Sequence, residues 1–442
     1  MAVSDMSQPE RSGFAKILRN LGWLLGGKGF AAVCSLAYLA ILARSLEVKD
    51  FGHFALILAT GQLLCALATF ETWQTVVRFG AEPVRASDWD AFGRLAWLCA
   101  SLDMFGAVLG CAIAALVFYG FGNALEINPA YTDMGFAFAC VLLWSRMTTP
   151  TGIVRVLDRF DIGTYVEAVL PAGRLIASLL ILWIGPSVGL FLLAWATLDL
   201  LGGTLYWFAA YRLAPQSLTH RNLVNPIRVI RQEKNLRRFF AITYGSTTLD
   251  ALTRQGPVLA VGYFLGTSAA GLYRLADQLA LGVARVANMV ARAALPEFVL
   301  AGVRTDAASS SAMVKQVTTL ASAGGVTVVL LALTVGDEIM MLMGGEAFLQ
   351  AADVLVPVAI AASLGLAAVA FEPLLYSTAY ARYPLIVRLI GAAMLSSALI
   401  FFAPHGLMPL AWSVAGSAAI VSILMALAAR HALTNLRSQR SS

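Results

Sequence analysis

The chain has 442 residues, of which 59% are hydrophobic and only 13% charged, about half the charged share of an ordinary soluble protein. With a mean hydropathy of +0.76, that balance excludes an ordinary soluble enzyme, a disordered scaffold and a nucleic-acid binder. The formal net charge is +6, and the stretch 212–238 accounts for all of it: Arg212, Arg221, Arg228, Arg231, Lys234, Arg237 and Arg238 stand there against Glu233 alone.

A helix crossing a bilayer needs roughly 20 mostly apolar residues, and the apolar runs here are continuous rather than alternating, which excludes a β-barrel. The first run, 20–43, holds Lys28 among Gly26, Gly27 and Gly29. An ionisable group at mid-bilayer costs about 2.5–3.5 kcal/mol on insertion scales, so its presence asks for a partner or a task. The glycines let a neighbouring helix or a polar head group come close. A turn at 46–54, LEVKDFGHF, leads to the second run, 52–77, which holds Glu71 and ends near Arg78. The third, 94–119, holds Asp103. The fourth, 132–151, is interrupted by polar residues. The fifth, 163–184, carries Glu167 and places Arg174 after Pro171, and the sixth, 188–210, carries Asp199.

The basic stretch follows. It contains Pro215 and Pro226 and then IRVIRQEKNLRRFF, whose cations recur at near-helical spacing. This pattern fits a linker ending in an interfacial helix beside anionic head groups, or a solvated linker that serves orientation alone. It divides the chain into an N-terminal lobe, 1–211, a cytoplasmic linker, 212–238, and a C-terminal lobe, 239–442. The seventh run, 239–263, holds Asp250 and Arg254 just before Gly256 and Pro257; the eighth, 269–294, holds Arg274, Asp277 and Arg285. Local ion pairs at i,i+4 for Arg254 with Asp250 and at i,i+3 for Arg274 with Asp277 would be structural. Free cations there would instead favour an anionic ligand such as a pyrophosphate-linked lipid, with Glu71, Asp250 and Asp277 as candidate coupling acids. Runs at 316–336, 352–376 (with Glu372), 384–403 and 407–429 complete twelve.

Residues 265–273, LGTSAAGLY, align without gaps on 46–54, matching Leu46 with Leu265, Gly52 with Gly271 and Phe54 with Tyr273. Both segments fall between the first and second runs of their halves. Six runs per repeat is an even number, so the halves share one orientation, an arrangement that puts a substrate cavity between two lobes. With the N-terminus in the cytoplasm, 24 of the 31 Lys and Arg fall in cytoplasmic segments and only Arg44 and Lys49 in the opposite loops, so both termini are expected inside. No cleaved signal peptide is read. The five cysteines, Cys34, Cys65, Cys99, Cys111 and Cys140, are expected as packing residues. The four scattered histidines give no metal site, and neither an ATP-binding loop nor a catalytic constellation is present.

Five segments resemble the bacterial polysaccharide flippases of the multidrug/oligosaccharidyl-lipid/polysaccharide exporter superfamily: ILARSLEVKDFGHFALI at 41–57, TWQTVVRFGA at 72–81, GIVRVLDRFD at 152–161, VGYFLGTSAAGLYRLADQLA at 261–280 and LMGGEAFLQAADVL at 342–355. The resemblance spans nearly the whole chain. It implies an all-α, V-shaped bundle of two six-helix lobes in the bacterial inner membrane that alternates between inward-open and outward-open states. The implied substrate is an undecaprenyl-pyrophosphate-linked oligosaccharide for O-antigen or exopolysaccharide assembly. It implies no enzyme activity and no cofactor; its partners would be membrane lipids and a polysaccharide polymerase with its chain-length machinery. Helices one, two, seven and eight line the cavity in that family, which assigns substrate binding to Lys28, Arg78, Arg254, Arg274 and Arg285. Two other functions compete. A cation-coupled multidrug exporter often places a carboxylate in the first span, where 20–43 has none; a polysaccharide ligase or polymerase would be expected to carry a large external loop, which is absent.

Overall fold

In the computed structural model, residues 29–122, 127–219, 234–300, 307–376, 380 and 382–441 are described, and among them every regular element is a helix. The first half comprises α1 (Gly29–Ser45), α2 (Val48–Ala68), α3 (Thr72–Arg85), α4 (Trp89–Ala115), α5 (Thr132–Ser145), α6 (Thr149–Val156), α7 (Phe160–Ile184) and α8 (Val188–Leu213). The second comprises α9 (Lys234–Leu300), α10 (Ala307–Gly344), α11 (Ala351–Ala367), α12 (Phe371–Tyr376), α13 (Tyr383–Phe402) and α14 (Leu407–Ser441). Gly266, at φ 85° and ψ 177°, splits α9 into two arms; a residue with a Cβ would be strained there. These arms are the seventh and eighth spans. Large apolar side chains such as Trp183, Ile184, Leu330 and Ile400 remain exposed on the outside of the bundle, as helices surrounded by lipid require.

Three of the expected spans are not single helices. The second breaks at 69–71 between α2 and α3, the fourth at 146–148 between α5 and α6, and the tenth at 368–370 between α11 and α12. A hydropathy window averages over a three-residue break, which is why the second and tenth runs read as continuous, while the polar residues that interrupt the fourth fall at its break. Irregular backbone at such depth persists where protein groups satisfy it. At the first break Thr69 donates both its N–H and its hydroxyl to the Cys65 carbonyl (each 2.8 Å), and Glu71 stands in the left-handed region at φ 48°. The ninth span also runs longer than expected: α10 continues through 337–344, expected to be loop, with a kink at Val335. Arg388 lies inside α13, within the expected run 384–403.

The two halves form six-helix lobes that meet chiefly through α2 and α9. The repeated glycines lie at this meeting point. A Cβ on Gly52 would overlap the Thr267 carbonyl oxygen, and one on Gly271 would lie 2.6 Å from the Val48 carbonyl oxygen and 3.3 Å from Gly52 Cα. Aligning Gly52 with Gly271 also aligns Val48 with Thr267, so each half presents the same contact to the other. Such an isologous contact marks a local two-fold axis. Around it, Phe51 and Phe348 stack edge to face at 5.4 Å. Arg44 donates to the Leu342 and Met341 carbonyls at 2.9 and 3.0 Å, placing a cation at the C-terminal, negative end of the α10 dipole.

Candidate functional site

Below that closed end, α2 and the first arm of α9 run side by side with polar groups between them. Gln255 donates to Gln62 Oε1 at 2.8 Å, Thr248 to the Ala66 carbonyl at 3.3 Å and the Tyr244 hydroxyl to the Leu67 carbonyl at 2.7 Å. Gln255 also accepts from Arg274 Nη1 at 3.3 Å, which brings in the second arm of α9. Neither glutamine stands out in a hydropathy profile. The available signal is that an amide within an apolar run needs hydrogen-bond partners.

Three of the five candidate cations gather here. Arg274 is buried, 6% exposed, and pairs with Asp277 at 3.9 Å. Arg254 pairs with Asp250 at 3.0 Å, yet its side chain is 62% exposed and that of Asp250 42%. Arg285 is exposed, and the charges of Arg254, Arg274 and Arg285 all act on Asp277. Both local pairs allowed by the sequence therefore form. Three guanidiniums against two carboxylates still leave a positive excess, and its two outer members are reachable. Exposed charge within a span must face a wet cleft or a neighbouring element, since hydrocarbon would not accept it.

The remaining candidates lie elsewhere. Lys28 is outside the described residues. Arg78, on α3, places its guanidinium 4.7 Å from the Phe239 ring centre and 5.8 Å from that of Phe79, a cation–π contact that ties one lobe to the other. Glu71 accepts from Trp73 Nε1 at 2.6 Å; Trp73 in turn lies under Arg155 at 4.4 Å. Glu71 thus belongs to the α2–α3 break rather than to the arginine cluster. Among the described residues, no group of three or more His, Cys, Asp or Glu could hold a metal ion.

Two further polar centres hold the N-terminal lobe. Arg174 donates to both Asp199 oxygens at 3.0 and 3.1 Å and faces Trp195 at 5.2 Å, whose ring meets Tyr38 of α1 at 5.2 Å. Asp103, 1% exposed, receives the Thr72 hydroxyl at 2.9 Å and the Thr149 N–H and hydroxyl at 2.9 and 2.8 Å. Thr72 and Thr149 open α3 and α6, so one carboxylate sits at the positive ends of the two helices that restart after a break in this lobe.

A sequence model of a family described as "Polysaccharide biosynthesis protein" matches residues 17–301. The inner membrane protein YghQ of Escherichia coli (strain K12) is 27% identical over 349 residues, which cover 77% of this chain and 96% of that protein. Among solved structures, an inward-facing multidrug resistance MATE family transporter of the MOP superfamily is similar with a TM-score of 0.71 and 13% identity, covering 92% of this chain and 96% of that one. The lipid II flippase MurJ in an inward closed conformation gives 0.67 and 11%, covering 91% and 86%. A MOP superfamily transporter from Pyrococcus furiosus gives 0.58 and 14%, covering 93% and 94%. At these identities the structural likeness is one of fold: two helical lobes.

Proposed function

The chain belongs to the polysaccharide biosynthesis protein family, and from that premise we propose that it is a flippase of the inner membrane, moving an undecaprenyl-pyrophosphate-linked oligosaccharide from the inner to the outer leaflet. The observation that carries this reading is the arginine cluster at the lobe interface. Arg254 and Arg285 offer donors to an anion, while Arg274, held by Asp277 and Gln255, fixes their surroundings. A pyrophosphate presents several acceptor oxygens with the geometry that guanidinium forks match. Lys28 and Arg78 would extend the positive surface along the first and second spans. Asp250 and Asp277 remain the acids available for coupling to a proton or cation, and Glu71 is a weaker candidate because Trp73 occupies one of its oxygens.

In this proposal the termini and the linker 212–238 face the cytoplasm, and the Gly52–Gly271 end is the outward gate, closed in this structure. Transport alternates between that closure and its opening, with the polymerase and chain-length machinery acting on the delivered units outside. The family's description, polysaccharide biosynthesis, supports assigning the delivered units to O-antigen or exopolysaccharide assembly. A multidrug exporter is disfavoured by the lack of any Asp or Glu in 20–43.

The test is a strain lacking the protein, assayed for lipid-linked oligosaccharide on the inner leaflet and for surface polysaccharide. Precursor accumulation with loss of surface polymer is expected, restored by the native chain but not by Arg254→Gln. Normal precursor and polymer, with increased sensitivity to cationic dyes, would overturn the reading in favour of multidrug export.

A further inference from the structure

A second polar constellation lies in the C-terminal lobe, apart from the arginine cluster. Arg388 of α13 grips Glu372 of α12 with two parallel bonds, Nε to Oε1 at 2.9 Å and Nη2 to Oε2 at 3.0 Å. Its Nη1 donates to the Ser246 hydroxyl of α9 at 2.8 Å and approaches the Ser246 carbonyl at 3.5 Å. Three spans thus converge on one guanidinium. The pair is not sealed: the Arg388 side chain is 27% exposed and that of Glu372 32%. An ion pair this open inside spanning helices faces water or a polar ligand rather than lipid tails. The backbone beside it is broken at 368–370, as occurs where a span lines a cavity.

Ser246 also begins a ladder. Ser246, Asp250 and Arg254 follow one another at i, i+4 and i+8 and so share one face of the first arm of α9. The ladder rises about 12 Å at 1.5 Å per residue. It leads from the Glu372–Arg388 pair to the arginine cluster. The charges along it, Glu372 with Arg388 and Asp250 with Arg254, cancel in pairs, whereas the cluster at its far end keeps a positive excess. Cancelled charges offering closely spaced donors and acceptors suit a polyhydroxylated, uncharged ligand. Each sugar ring presents neighbouring hydroxyls that both give and accept hydrogen bonds, and the N–H of Arg388 Nη2 not used on Glu372, beside the carboxylate's remaining lone pairs, can meet two at once.

Resting on the flippase reading, we propose that Ser246, Glu372 and Arg388 form the sugar-reading subsite of the transport cavity, separate from the pyrophosphate-binding arginines. The cavity then divides its work. The arginine cluster takes the carrier phosphates shared by all such lipids, and this subsite reads the glycan.

The experiment measures binding to the purified full-length chain in nanodiscs with two probes. One is undecaprenyl pyrophosphate without sugar; the other is the lipid-linked oligosaccharide that accumulates in cells lacking the protein. Ser246→Ala, Glu372→Gln and Arg388→Lys are each expected to weaken the oligosaccharide probe at least tenfold while leaving undecaprenyl pyrophosphate within twofold. Arg254→Gln should weaken both. Should the ion-pair variants fail to fold, Ser246→Ala decides alone, because it removes one hydroxyl and leaves the pair in place. Equal losses for both probes, or none for the oligosaccharide, would overturn the subsite, since a merely structural staple does not distinguish sugar from carrier. A native chain that binds neither probe would overturn the flippase reading and the subsite with it.

Discussion

Arg254 and Arg274 lie on the two arms of one kinked helix, each beside an aspartate, yet their surroundings give them different work. Arg274 is enclosed, so its pairing with Asp277 is mutual compensation. Removing one partner of a buried pair typically costs about 3–5 kcal/mol because the other charge is left unpaired. Arg274→Gln should therefore lower stability by that order in denaturant titrations of the solubilised protein. The double variant Arg274→Gln with Asp277→Asn should recover most of it; if the double variant is as unstable as the single, the two charges are not compensating one another. Arg254 is mostly exposed, so Arg254→Gln should leave stability within about 0.5 kcal/mol, as for surface substitutions generally, while weakening undecaprenyl pyrophosphate binding by about tenfold, or about 1.4 kcal/mol. The sequence marked both arginines, but their spacing from Asp250 and Asp277 is compatible with a closed or an open pair. Only the packing around each decided which is available.

At the scale of elements, the breaks in the second and fourth spans depend on one another through Asp103. The carboxylate takes donors from the first residues of α3 and α6, so the two inner half-helices restart from a common anchor. Close packing supports the same joint: a Cβ on Gly106 would overlap the Ala68 carbonyl oxygen at the end of α2. Asp103→Ala strands the Thr149 N–H in an apolar interior, and an unsatisfied buried polar group costs about 1–3 kcal/mol. The expected result is a loss of that order in unfolding experiments, with Asp103→Asn, which keeps one acceptor oxygen, losing less. Asn and Ala variants of equal stability would contradict the anchor. Asp103 was visible in the sequence as an acid inside a span, but its partners lie 31 and 46 positions away, beyond any periodicity argument.

For the whole molecule, the Gly52–Gly271 contact sets how closely the lobes approach at one end. Neither position has room for a methyl group, and in each case a carbonyl oxygen of the opposite lobe stands in the way. Backbone cannot yield as a flexible side chain would, so Gly52→Ala should separate the lobes there. Spin labels at the exposed positions Glu47 and Glu346, one on each lobe at this end, should report a short distance in the native protein. In Gly52→Ala and in Gly271→Ala the population should shift to longer distances, while Gly120→Ala, which meets open space, should leave it unchanged. Unaltered distances in both interface variants would show that these glycines do not control closure.

The sequence by itself determined that this chain lives in a membrane, that its helices come in two sets of six, and that its charge is concentrated in one internal stretch. These follow from hydropathy and charge, properties that add residue by residue along the chain. The repeated glycines were legible too, though only as a weak alignment; the fold turned them into a single reciprocal contact. Tertiary structure decided which spans break, which cations are enclosed and which are reachable, and that Arg388 gathers Glu372 and Ser246 into a polar centre. Those outcomes depend on pairs such as Gln62 with Gln255, 193 positions apart, and Ser246 with Arg388, 142 apart. The availability of a charge is a property of the groups packed against it, and those groups become neighbours only when the helices pack, within a lobe for Ser246 and Arg388 and across lobes for Gln62 and Gln255.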